Sequence, residues 1–215
     1  HERASITVKT YHAFSMEILR SHGRLLNGKQ PTILFPGPER LAKSRHDGDW
    51  PAEVKRLATE EGRYAFSTFA SRAADLLSRS ASVRELISDI YPVIILDEFQ
   101  DTDDAQWALV QQLARASTLI TLADPDQRIF DYQADIDPRR LDQFRTIYSP
   151  LEFDFGGDNH RSPNGGILTF ADAVMANMSL PATDDVKEVR TYASNHDATV
   201  HAAVVWLMSR LHKAG

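Results

Sequence analysis

The sequence contains no cysteine, which excludes a disulfide framework and thiolate zinc sites and leaves the redox compartment open. It has no run of roughly 18 apolar residues, so no membrane span is expected. The opening HERASITVKTYHAF offers neither an apolar signal core nor a cleavage site, which makes the cytoplasm the expected location. A positive excess is missing too: the net charge of -6 rules out a uniformly basic nucleic-acid binder but permits a local basic patch. Internal repeats and low-complexity tracts are absent. So is the phosphate loop GxxxxGKS/T. The nearest glycine–lysine pair, Gly28–Lys29 in LLNGKQP, lacks the first glycine, the hydroxyl residue and a strand before it.

What is present is an ordinary soluble balance, 42% hydrophobic and 25% charged, in 215 residues, enough for one large domain or two modest ones. Strand and helix signals alternate. Ser5–Val8 reads as a short strand and Tyr11–Arg20 as a helix. From Ser21 to Gly62 glycines and prolines break the pattern. Phe66, Phe69, Ala70, Ala73, Leu76 and Leu77 then form one helical stripe, and Ser82 is the expected N-cap of a helix ending at Ile90. Val93–Leu96 has no polar alternation and reads as a fully buried strand. A helix through Trp107 and Leu113 follows, then a strand over Thr118–Ala123 and a short helix around Leu141 and Phe144. A third central strand is expected at Leu151–Phe155, a helix through Ile167 and Met178, a strand at Val189–Tyr192, and a closing helix from Val200 to Leu211. Such alternation predicts an open, mostly parallel α/β sheet, with the helical, loop-rich segment from about Ser21 to Ile90 inserted into it.

In such sheets ligands bind at the carboxyl ends of the strands. There the stretch VIILDEFQDTDD places Asp97 and Glu98, two adjacent carboxylates that can divide labour between holding Mg²⁺ and accepting a proton from attacking water. Asp103 and Asp104 are expected to cap the helix carrying Trp107. The next strand ends similarly, with Asp124, Asp126 and the neutral Gln127, which suits a group sensing a phosphate. Phe130 and Tyr132 follow; displayed on a loop they stack on single-stranded bases, although Phe130 reads equally well as a core anchor. Arg161, beside Ser162 and Pro163 at a helix start, is placed to meet an anion.

In this order the segments resemble superfamily 1 DNA helicases of the UvrD/Rep/PcrA type. DEFQDT at Asp97–Thr102 looks like that family's motif II (Walker B), ADPDQRIFDYQAD at Ala123–Asp135 its motif III, and NHRSP at Asn159–Pro163 its motif IV. TYHAFSMEILR at Thr10–Arg20 is similar to its TFHxLxxxxLR element, which contacts single-stranded DNA. The resemblance implies that Asp97 coordinates Mg²⁺ through water and that Glu98 activates the hydrolytic water. It implies that Gln100 and Asp101 link the nucleotide site to neighbouring motifs, while Gln127 and Arg161 contact the γ-phosphate of ATP. Thr10, His12, Phe130 and Tyr132 would contact DNA. The sequence departs from the pattern at Arg128, Tyr132, Gln133–Asp135 and His160, so tyrosine must supply the stacking face and Asp135 would repel a nearby phosphate.

The fold so implied is α/β, a RecA-like P-loop NTPase sheet without its P-loop, with a small helical insertion and the start of a second RecA-like domain. Residues 1–22 and 91–155 would form part of the first motor domain, 23–90 the insertion, and 156–215 the beginning of the second. The expected function is a portion of an ATP-dependent, Mg²⁺-requiring, 3′–5′ helicase or translocase. Its partner would be single-stranded or partly duplex DNA, with repair or replication proteins as accessories and no membrane. Lacking the Walker A loop and motifs V and VI, the fragment alone is expected to be inactive. The alternative is a degenerate helicase-like module that binds DNA or a protein without turnover.

Overall fold

The computed structural model describes residues 6–128, 130, 132–154, 166–183, 186 and 196–214. The chain divides into two compact units, His1–Pro150 and Leu151–Gly215.

In the first unit, α1 (Tyr11–His22) starts at Thr10, whose side chain accepts the Ala13 N–H at 3.2 Å. The segment expected to be broken by glycine and proline is regular instead. It contains α2 (Arg24–Asn27), β1 (Thr32–Leu34), α3 (Pro36–Ser44) and α4 (Trp50–Arg56), a π-helical turn at Leu57–Glu61, and β2 (Arg63–Ala65). Prolines stand in the first turns of α3 and α4, where a missing N–H costs no helical bond. Gly28 and Gly62 end their helical segments with φ of 76° and 70°. The punctuation therefore opens and closes elements rather than abolishing them. β1 and β2 pair in parallel, Thr32 with Arg63 through Leu34 with Ala65.

The stripe expected from Phe69 to Leu77 becomes the buried face of α5 (Phe69–Arg79). Ser80, not Ser82, caps α6 (Ala81–Ile90): its hydroxyl accepts the Val83 N–H at 3.3 Å, so the helix begins two residues earlier than expected. The main core joins Ile18 of α1, Ala73, Leu76 and Leu77 of α5, Val83 and Ile87 of α6, and Leu109 and Leu113 of α7 (Asp104–Leu113). At roughly 1.5–3 kcal/mol for each large side chain removed from water, this cluster is a principal source of the unit's stability.

α7 connects β3 (Val93–Leu96) to β4 (Thr118–Thr121), which pair in parallel, Val93 with Thr118 through Leu96 with Thr121. Ile94, Leu96 and Leu119 pack against the helices. Val93 and Ile95, on the other face, are 51% and 61% exposed, so β3 is not fully buried as expected. Its apolar run suits cover on both faces, but among the described residues the packing lies on one. A second cluster, Leu96, Phe99, Trp107, Val110 and Phe144, seats α8 (Arg140–Tyr148) beneath the carboxyl end of β3.

Two expected strands are corrected. Residues 6–8 and 151–154 lack strand pairing, and their apolar side chains Ile6, Val8, Leu151 and Phe153 are exposed. Apolar content alone does not make a strand without a neighbour to complete the ladder. Ser5, Phe155 and the strand expected at Val189–Tyr192 lie outside the described residues. The second unit contains α9 (Gly166–Met175) and α10 (His196–Ala214). α9 stops short of Met178 because Asn177 adopts φ of 51° and the Met178 N–H returns to the Ala173 carbonyl at 2.8 Å. The described architecture is a helix-rich α/β arrangement with two small parallel sheets. No described helix is long and apolar enough to cross a membrane.

Candidate active site

The two strand ends are joined beyond their last paired residues. The Leu122 N–H donates to the Leu96 carbonyl at 2.8 Å, and the Phe99 N–H to the Leu122 carbonyl at 3.0 Å. These bonds hold Asp97–Asp101 and Asp124–Gln127 side by side. Asp97 and Glu98 are both exposed, and the Glu98 N–H donates to Asp97 Oδ1 at 3.1 Å. Glu98 has φ of 49° and ψ of 43°, a left-handed conformation rare for a side chain of its kind. A 3₁₀ turn, Phe99–Asp101, follows at once. Phe99 is buried edge-on against Trp107 and Phe144, with centroids 5.9 and 5.2 Å away, which anchors the turn directly behind Glu98.

Gln100 is 2% exposed, and its amide is used at both ends. Nε2 donates to Glu98 Oε2 at 2.6 Å, and Oε1 accepts the Asp124 N–H at 3.1 Å. One buried side chain thereby fixes the carboxylate after β3 to the backbone after β4. The network continues as Gln127 Nε2 donates to Asp124 Oδ2 at 2.6 Å. Asp101 is half-buried, and its N–H donates to the Glu98 carbonyl at 3.0 Å.

Asp103 is the N-cap of α7: it accepts the Gln106 N–H at 2.7 Å, and the Gln106 side chain returns to the Asp103 N–H, a complete capping box. Asp104, the first helical residue, pairs with Arg140. Phe130 is half-buried and Tyr132 is 79% exposed, with ring centroids 6.3 Å apart. Thr10 is the exposed N-cap of α1, and His12 stacks on Phe66 at 4.2 Å with the ring planes within 10°. Arg161 lies outside the described residues.

Among the described residues no group of three or more His, Cys, Asp or Glu is gathered to hold a metal ion by itself. Mg²⁺ in nucleotide sites takes one or two carboxylates and completes its shell with phosphate oxygens and waters. Asp97, exposed at a strand end, fits that donor set.

Residues 42–145 match the UvrD/REP helicase N-terminal domain. Just under half of the chain is therefore similar to the UvrD/Rep helicase family. Its relatives include the RecBCD enzyme subunit RecB of Mycolicibacterium smegmatis, 30% identical over 110 residues, 50% of this chain and 10% of that protein. The exonuclease/helicase subunit RexA of Lactococcus lactis is 23% identical over 121 residues, 55% of this chain and 10% of that protein. The ATP-dependent DNA helicase Rep of Buchnera aphidicola is 23% identical over 214 residues, covering 80% of this chain and 32% of the relative. The chain thus spans between a tenth and a third of the length of these relatives.

The segment matching the UvrD/Rep domain includes Asp97–Thr102 and Ala123–Asp135 but not Thr10, His12 or Arg161. It also includes a residue that sequence reasoning missed. Arg140, 2% exposed, donates Nε to the Thr102 carbonyl at 3.1 Å, Nη1 to Gln143 Oε1 at 2.7 Å and Nη2 to Asp104 Oδ1 at 2.6 Å. Its guanidinium lies 5.5 Å from the Trp107 ring centroid. A signal existed: a cation at a helix N-terminus opposes the helix dipole, so Arg140 at the start of α8 called for a specific anionic partner. Tyr11 was missed as well. Burial pushes its phenol above the ordinary tyrosine range, against a smaller opposing effect of the Thr102 hydroxyl.

Proposed function

We propose that this chain is part of an ATP-dependent DNA helicase or translocase that couples Mg-ATP hydrolysis to 3′–5′ movement on single-stranded DNA. The observation that carries the reading is the Gln100 bridge, which ties the Glu98 carboxylate to the Asp124 backbone and so joins the two helicase motifs that sensing of ATP requires. Mg²⁺, held by Asp97, would neutralise phosphate charge. Glu98, oriented by Gln100, accepts the proton of the attacking water, and Gln127, bonded to Asp124, contacts the γ-phosphate. Arg161 supplies a second contact to that phosphate. Phe130 and Tyr132 stack on bases, and Thr10 and His12 touch the strand.

The reading assigns residues 1–22 and 91–155 to a first RecA-like motor domain, 23–90 to a helical insertion and 156–215 to the start of a second motor domain. It assigns a cytoplasmic location and a partner of single-stranded or partly duplex DNA, with repair or replication proteins as accessories. The fragment by itself is expected to hydrolyse no ATP.

The decisive experiment uses Glu98→Gln in the full-length protein. DNA-stimulated turnover is expected to fall by about 10²- to 10⁴-fold with nucleotide binding retained. Undiminished turnover removes Glu98 as the base. DNA binding by the wild-type protein without any turnover favours the degenerate binding module instead.

A further inference from the structure

The loop from Asp124 to Arg139 carries Gln127, Phe130 and Tyr132, and it is fastened to the DEFQDT segment at both ends. At its start the Asp124 N–H donates to Gln100 Oε1 at 3.1 Å. At its close the Asp135 carbonyl accepts the Asp104 N–H at 2.9 Å, and Arg140 grips both the Thr102 carbonyl and the Asp104 carboxylate. Between these points the loop is braced on itself. The Gln133 N–H donates to the Phe130 carbonyl at 2.9 Å, Arg128 Nη1 to the Pro138 carbonyl at 3.1 Å, and Ile136 is buried. A braced loop with two attachments moves as a body, so displacement of Phe130 or Tyr132 is delivered to residues 98–104 rather than absorbed between them.

The Gln100 end of this arrangement carries the proposed chemistry; the other end has no chemical task. Arg140 is nonetheless the most demanding group there. A buried guanidinium is retained only when its donors are satisfied, and here Nε, Nη1 and Nη2 all find acceptors. Gln143 is itself held, its Nε2 donating to Asp137 Oδ2 at 2.7 Å, while Asp137 accepts the Arg139 N–H at 2.9 Å.

We propose that Arg140 is a positioning residue that locks the end of the aromatic loop to Thr102 and Asp104, so that occupation of the loop by a nucleic-acid strand is transmitted to the Glu98 turn. The proposal rests on the helicase reading above for its ligand, a single strand of DNA.

The test measures ATP turnover of the full-length protein with and without saturating oligo(dT), together with backbone amide exchange. Arg140→Gln is expected to lower the stimulation by DNA roughly 3- to 30-fold, the range for residues that couple two sites, with turnover in the absence of DNA unchanged within about twofold. Arg140→Lys keeps the charge facing Asp104 but not the forked geometry, and falls between wild type and Gln. Asp104→Asn alters the clamp from a side chain 70% exposed, which avoids the folding defect a buried change can bring; it is expected to lower the same ratio by less. In both Arg140→Gln and Asp104→Asn, exchange at residues 99–104 and 133–136 is expected to quicken together while α5 is unaffected. Equal losses with and without DNA, an unchanged ratio, or faster exchange confined to α8 would each overturn the proposal. Wild-type protein without DNA-stimulated turnover defeats the helicase reading instead, and exchange in the absence of DNA then decides the clamp alone.

Discussion

Replacing Gln100 by methionine removes both bonds of the bridge while nearly preserving side-chain volume, so cavity effects are small. A hydrogen bond to a charged group contributes about 1.5–3 kcal/mol, and the exposure of Glu98 places this one at the low end. The second bond is neutral, worth about 1 kcal/mol, and its loss leaves the Asp124 N–H without its acceptor. Relief from burying the amide offsets part of this, leaving a net loss of roughly 1.5–2 kcal/mol. For a unit of this size that corresponds to a fall in Tm of about 3–8 °C. Thermal unfolding followed by circular dichroism reads it directly. A Tm unchanged within about 1 °C would mean that the bridge contributes no net stability, and the reasoning from buried amide satisfaction would fail.

Two further outcomes follow from the same physics. Asp103→Ala loses the capping box of α7 and is expected to cost about 1 kcal/mol, seen as a lower urea midpoint, whereas Asp103→Ser keeps most of it; equal losses would argue against capping. At alkaline pH, burial raises the phenols of Tyr11, Tyr64 and Tyr148, so the folded state retains protons that the unfolded state releases. Their contribution is fully present below the unfolded value near pH ~10 and is lost as the pH climbs through the raised folded values. Urea midpoints should therefore drop above pH ~10, less steeply in Tyr11→Phe; a slope independent of that substitution refutes the assignment.

The elements with a long periodic signal were legible in the sequence: the stripe of α5, the apolar strand β3 and the acidic cap of α7 all form near the expected residues. Elements defined by partners were not. Ile6, Val8 and Leu151 carry strand-like residues, but pairing is a property of a neighbour that local sequence does not encode. Prolines 36 and 51 read as breakers because their position relative to a helix start is invisible until the helix is located. At the site, Asp97 and Glu98 were placed by the end of an apolar run. A linking role for Gln100 came from the family resemblance and not from spacing, since its contact spans 24 positions, and the contact of Arg140 across 38 positions was not legible at all.

Glu98 occupies a left-handed backbone conformation that costs a non-glycine residue about 1–2 kcal/mol. Glycine, or to a lesser degree asparagine, would relax it without touching the packed core behind. Glu98→Gly would also delete the acceptor of the buried Gln100 amide, a bond of about 1.5 kcal/mol, so the relief of backbone strain and the loss of the bridge nearly cancel. The strained backbone at position 98 is thus compensated by the side chain it carries, and a stabilising change there has to be weighed against the Gln100 bridge as well as against φ.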